Sequence, residues 1–171
     1  MVKAIRIHAP GGPEVLKYED VDVAAPGAGE VVLRQKACGL NYIDVYHRMG
    51  VYPLQYPATI GMEGMGVVEA VGDGVTAFKP SDRVAYADLP PGAYAESRVM
   101  PWHRLVKLPD AIDDQTAAAM MLQGMTVEYL IRRTFKVQQG DTVLFHAAAG
   151  GVGLIACQWL NQIGATVIGG V

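Results

Sequence analysis

The stretch Thr142-Val143-Leu144-Phe145-His146-Ala147-Ala148-Ala149-Gly150-Gly151-Val152-Gly153 decides how the second part of this chain folds. A short apolar run, a set of small residues and clustered glycines lead into an apolar helical period over about Val152 to Ile163, and then into Ala165-Thr166-Val167-Ile168. The order reads as buried strand, tight turn, helix and strand, which is one βαβ unit. A pyrophosphate needs backbone N–H groups aimed at it from a helix N-terminus, and Cβ atoms obstruct so close an approach. Gly150, Gly151 and Gly153 remove that obstruction, and their place between strand and helix gives the pattern its diagnostic value. On residues alone, a tight connection without a ligand stays open as the alternative.

Upstream, from Met1 to about Pro109, short β-type runs are separated by Gly and Pro, with one weak helical period near Asn41 to Met49. Strands are predicted at Ala4–Ile7, Glu30–Ala37, Gly66–Val71 and Arg83–Tyr86, and many short strands suggest a barrel. Near Pro109 the composition changes. Asp113 and Asp114 can cap a helix through Ala117-Ala118-Ala119-Met120-Met121-Leu122, Gly124 interrupts it, and a second helix runs from Thr126 to Arg133. This passage reads as the joint between a β-rich domain over residues 1–122 and the βαβ unit over residues 123–171. Met120, Met121 and Met125 read as adaptable core.

With 171 residues, of which 51% are hydrophobic and 18% charged, the chain can bury a substantial core. A net charge of −3 with scattered Lys and Arg gives no field for a polyanion, so nucleic acid is not an expected partner. The start alternates like a strand and has no signal-peptide pattern, and His146 and the glycines split the one long apolar run, so a cytoplasmic protein without a membrane span is expected. Cys38 and Cys157 sit in apolar runs without metal-ligand spacing and read as reduced packing residues.

The segment Gly140 to Gly153 followed by Gln158 resembles the signature of zeta-crystallin-like quinone oxidoreductases, in the medium-chain dehydrogenase/reductase superfamily. Asn161 departs from it, where a small or basic residue is usual. Gly11-Gly12-Pro13-Glu14-Val15-Leu16, Asn41-Tyr42-Ile43-Asp44-Val45-Tyr46, Gly50-Val51-Tyr52-Pro53 and Gly92-Ala93-Tyr94-Ala95-Glu96 follow the family in order. The resemblance implies an α/β chain: a GroES-like barrel, then the start of a Rossmann-type domain, with NADPH in the cleft between them. It places Asn41, Tyr42, Ile43, Asp44, Val45 and Tyr46, with Thr126, Tyr129, Gly150, Gly151, Val152 and Gly153, around the cofactor.

Metal-dependent relatives carry a Cys ligand at the place of Asn41 and a His ligand at Met62, just before Glu63. An amide and a thioether are poor ligands for catalytic zinc, and His8, His47, His103 and His146 show no paired spacing, so no metal is expected. Without a Lewis acid, reduction relies on positioning and on a donor to the oxygen that gains charge, which suits a small quinone. Asn41, Tyr46 and Tyr52 are the candidate donors; helix capping by Asn41 and surface packing by the tyrosines are the alternatives. Asp44 and Glu63 read as structural anchors rather than as a catalytic carboxylate pair.

The sequence ends where a dinucleotide fold ordinarily continues, so a truncated form and self-association through an incomplete sheet, or a homo-oligomer, are expected. Three readings follow: an NADPH:quinone oxidoreductase, a zinc-free alkenal or enoyl reductase, and a non-catalytic dinucleotide-binding or structural protein.

Overall fold

Period-two alternation and Gly/Pro punctuation build the first part of the chain from β1 (Val2–Ile7), β2 (Lys17–Val21), β3 (Glu30–Gly39), helix α1 (Tyr42–Met49), β4 (Ala58–Thr59), β5 (Glu63–Val71), β6 (Arg83–Ala87), β7 (Ser97–Pro101) and β8 (Val106–Lys107). The computed structural model describes residues 1–170. The chain divides into two compact units, one over Met1–Met121 and one that begins at Leu122.

In the first unit the strands form two antiparallel sheets, ordered β2-β1-β4 and β7-β3-β5-β6-β8. A bridge at Ala4 and Ala95 and a hydrogen bond from the Ile5 N–H to the Tyr94 carbonyl at 2.7 Å join them. Alternate residues Val31 and Leu33 of β3 point inward with Val68, Val84, Tyr86 and Met100, and all six are essentially unexposed. The end of β5 passes so close to the turn at Pro26-Gly27 that a Cβ on Gly72 would lie 1.8 Å from the Gly27 carbonyl oxygen, so only glycine fits there. The predicted strands are all present. β2, β4, β7 and β8 were not predicted, since each is short or rich in charged residues.

Helix α2 (Asp114–Tyr129) starts where Asp113 accepts the Thr116 N–H at 2.9 Å, and the division between the units falls inside it. The predicted interruption at Gly124 does not occur. One internal glycine costs about 1 kcal/mol, which does not break a 16-residue helix. A single π turn at Leu130–Thr134 ends the passage. Met120 and Met125 are exposed, at 38% and 44%, rather than core; Met121 alone of the three packs on the buried Ala117 and Ala118.

The second unit continues with β9 (Thr142–Phe145), α3 (Gly151–Ile163) and β10 (Thr166–Gly169), and β9 and β10 pair in parallel from Thr142–Thr166 to Phe145–Gly169. Ala156 and Leu160 of α3 are buried with Val127, Ile131, Val137 and Ala165. The fully buried strand predicted at 142–145 instead alternates. Val143 and Phe145 face this core, whereas Leu144 and Ile168 on the other sheet face are 60% and 55% exposed. Val171, the last residue of the predicted βαβ domain, lies outside the described residues.

Leu33→Ala removes a buried side chain from the first core and is expected to destabilise that unit by about 2–5 kcal/mol. Urea unfolding in a Trp159→Phe background, where Trp102 packed on that core is the sole tryptophan, measures it. A loss below about 1 kcal/mol would show that Leu33 does not anchor the sheet.

Candidate functional site

Helix α1 carries the site of the first unit, and its eight residues divide by helical period into two faces. Asn41, Asp44 and His47 are buried, at 7%, 3% and 4% exposure, while Tyr42 and Tyr46 point outward. Eight residues form a marginal helix without help, so end contacts matter. Asp44 Oδ2 accepts the Asn41 backbone N–H at 3.0 Å, closing the first turn, and Gly50 ends the helix in the left-handed region. Asp44 Oδ2 also accepts the Tyr94 hydroxyl at 2.7 Å. The Asn41 amide Nδ2 donates to Glu63 Oε2 at 2.6 Å, and Glu63 is fully buried on β5.

A Cβ on Gly39 would come within 2.3 Å of both Glu63 Oε2 and the Ala118 carbonyl, so the glycine at the end of β3 is what admits this carboxyl group. Gly61, at φ +97°, leaves room for the Tyr94 ring in the same way. Burial first, and then the hydrogen bond to Asp44, push the Tyr94 hydroxyl far above the ordinary phenol range, so Tyr94 acts as a neutral donor at all working pH values. Burial lowers the His47 pKa against the opposing pull of Asp44, and its Nδ1 has no partner among the described residues.

Sequence reasoning assigned Asn41 as a donor to substrate. The structure turns its amide inward to Glu63, which makes it an anchor of the loop before α1. Tyr42, Tyr46 and Tyr52 are brought together: Tyr42 and Tyr46 meet edge-to-face at 5.1 Å, Tyr46 and Tyr52 at 5.8 Å, and His47 stands 5.8 Å from Tyr52. Tyr46 and Tyr52 are 38% and 47% exposed. Ile43 and Val45 are half-buried on the flanks of α1. Tyr94, which sequence reading passed over, is the partner that fixes Asp44; its signal is the Gly92-Ala93-Tyr94 run, where glycine clears space for a ring.

In the second unit, Gly150 caps α3 in extended conformation without a side-chain hydrogen bond, and Gly150 N–H and O are taken by Ala147 O and Leu154 N, at 2.9 and 2.8 Å. The N–H groups of Gly151, Val152 and Gly153 occupy the first helical turn, where no intrahelical acceptor exists. The glycines differ in kind. A Cβ on Gly153 would meet the Ala147 and Ala148 carbonyl oxygens at 2.5 Å, so this glycine permits the turn itself, whereas a Cβ on exposed Gly151 would first meet the end of the Gln123 side chain, at 2.6 Å. Gln123 is a further neighbour of the turn that sequence reading missed. Thr126 turns its hydroxyl back to the Leu122 carbonyl at 2.7 Å, and Tyr129 is 47% exposed.

Cys38 is exposed rather than packed. Its thiol donates to the Ala93 carbonyl, and local burial of the sulfur pushes its pKa up to about 11. Among the described residues no group of three or more His, Cys, Asp or Glu side chains could hold a metal ion, and no helix is long and apolar enough to cross a membrane.

Residues 27–110 match the family model of the alcohol dehydrogenase GroES-like domain. The chain is 55% identical to a quinone oxidoreductase of Pseudomonas aeruginosa and 47% identical to a 2-haloacrylate reductase of a Burkholderia species, in each case over 100% of this chain and 53% of the relative. The crystal structure of Escherichia coli quinone oxidoreductase complexed with NADPH superposes with a TM-score of 0.95 at 45% identity, over 98% of this chain and 52% of that one. The chain thus spans about half the length of the curated relatives it matches. It is related, along its whole length, to quinone oxidoreductases of the medium-chain dehydrogenase/reductase superfamily, and its first unit carries a GroES-like domain.

Proposed function

We propose that the protein is an NADPH:quinone oxidoreductase that reduces a small quinone by hydride transfer without zinc. The observation that carries this reading is the helix N-terminus at exposed Gly151 in the second unit; the first unit adds, separately, a tyrosine cluster at Tyr42, Tyr46 and Tyr52. The turn fits a dinucleotide, because the space that a Cβ on Gly151 would fill is bounded by one flexible side-chain end rather than by backbone. Gly150, Gly151, Val152 and Gly153 would hold the pyrophosphate, with Thr126 and Tyr129 toward the nicotinamide side and Asn41 to Tyr46 against the cofactor. NADPH, when bound, supplies the hydride.

The chain's own part is to bind, orient and donate. Asn41, Asp44 and Tyr94 hold α1 rigid. Tyr46 and Tyr52 present hydroxyl groups to an oxygen that gains negative charge, and the quinone's stable reduced form demands little more acid catalysis. A second reading, reduction of a carbon–carbon double bond conjugated to a carbonyl or carboxyl, draws support from the 2-haloacrylate reductase relative. The proposal extends to a cytoplasmic protein that self-associates, supported by unpaired Cys38 and Cys157 and by exposed Leu144 and Ile168 on the parallel sheet.

Titration with NADPH and NADH, then addition of benzoquinone while nicotinamide absorbance is followed, tests the proposal. Oxidation of NADPH on quinone addition is the expected result. Tight binding without oxidation by quinone removes the quinone reductase assignment, and oxidation by 2-chloroacrylate alone selects the second reading.

The two glycines separate binding from folding. Gly151→Val is expected to weaken NADPH binding by at least about tenfold, with little change in melting temperature. Gly153→Val, which forces a side chain into two backbone carbonyls, should instead lower the melting temperature markedly. Unchanged affinity in the Gly151 variant would mean that the pyrophosphate sits elsewhere.

A further inference from the structure

On β7, Arg98 is only 8% exposed, and no salt bridge holds its charge among the described residues. Its Nη2 donates to the Pro90 carbonyl at 2.8 Å and its guanidinium lies 5.1 Å from the centroid of the fully buried Tyr86 ring. Nε and Nη1 are buried without a partner among the described residues. A guanidinium does not lose its proton in a protein, so it cannot escape burial by neutralising. Tyr86 and Cys38, two ionisable groups that feel its charge, are both raised by burial and keep their protons at neutral pH, so neither supplies a negative charge. A buried charge with one carbonyl and a ring face for company is costly to maintain.

Arg98 also lines an open cavity of the first unit, of about 550 Å³, within the range of small-ligand sites. Arg6, Thr59 and Ser97 share its wall, as do the carboxyl groups of Asp20 and Asp22. Of these, Arg6 is already held by the Pro57 carbonyl and Glu19, Asp20 by Lys3 at 2.8 Å, and Ser97 by the Leu33 carbonyl. Gly92, at φ +148°, brings bare backbone over the guanidinium, since even a Cβ there would lie 3.3 Å from Cζ.

We infer that this cavity is a binding site for a small organic monocarboxylate, whose carboxylate pairs with Arg98 while its remaining atoms fill the space toward Thr59 and Asp22. Binding replaces the single Pro90 carbonyl contact by a charge-assisted one and draws Nε or Nη1 into it, with a shift of the Leu89–Gly92 segment. The Asp20 and Asp22 carboxyl groups in the cavity wall disfavour a dianion such as phosphate more than a monoanion.

Acetate is the probe, with the full chain in chloride-free buffer and sodium chloride as the ionic-strength control. Wild type should show a saturable rise in melting temperature with acetate beyond that given by chloride, and saturation transfer to the acetate methyl group in NMR. Arg98→Met should abolish both while being at least as stable as wild type without acetate, because an unpaired buried charge is gone. Arg98→Lys, which keeps charge but loses the planar fork, should raise the acetate midpoint about tenfold and decides the matter if the Met variant does not fold. Equal effects of acetate and chloride, an unchanged midpoint in Arg98→Lys, or phosphate outcompeting acetate would each overturn the assignment.

Discussion

The arrangement of the first unit hangs on one buried contact, the Asn41 amide donating to the fully buried Glu63 carboxyl at 2.6 Å. A buried carboxyl group left without a donor costs several kcal/mol, so the sequence around it is constrained by its satisfaction. Gly39 must lack a side chain to admit Glu63, and Asn41 must turn inward to meet it. That inward turn sets the start of α1, which Asp44 then closes through the Asn41 N–H and Tyr94 locks from a separate loop. Each partner is useful only in company: a polar network that is half satisfied is worse than an apolar core.

The same constraint explains why the anchoring and presenting residues share one short helix. Residues 41, 44 and 47 fall on its buried side and 42 and 46 on its open side, as a 3.6-residue period demands. The tyrosine edges are therefore held by hydrogen bonds that none of them makes. Their edge-to-face contacts at 5.1 and 5.8 Å, with Tyr52 after the Gly50 cap, add mutual orientation while each residue stays exposed.

Much of this was legible in the sequence because the signals were local. β3 announced itself by alternation, and the turn at 150–153 by glycines set between a strand and a helix. What was not legible depended on distant partners. Nothing near Asn41 says that Glu63, 22 positions on, will take its amide proton, so this anchoring contact could not be read beside its candidate role as a donor. Gly124 was read by its propensity, but a penalty near 1 kcal/mol is small against the packing of a 16-residue helix. The exposure of Cys38, Met120 and Leu144 escaped notice because apolar runs were read as buried, while a strand or helix buries only the side that meets a neighbour.

The glycine turn shows how far a motif can be resolved by geometry. Three glycines looked equivalent as a phosphate cradle, yet their surroundings divide them: Gly150 is an extended helix cap, Gly153 is enforced by the Ala147 and Ala148 carbonyls, and the atoms nearest to a Cβ on Gly151 belong to the Gln123 side chain. A motif of this kind therefore mixes demands of folding with demands of binding. The folding demand at Gly153 exists whether or not a ligand arrives, so retention of that glycine carries no functional information. Under the proposed pyrophosphate site Gly151 would carry it, because the atoms nearest to a side chain there are the end of Gln123 rather than backbone, whereas an approaching pyrophosphate would be obstructed.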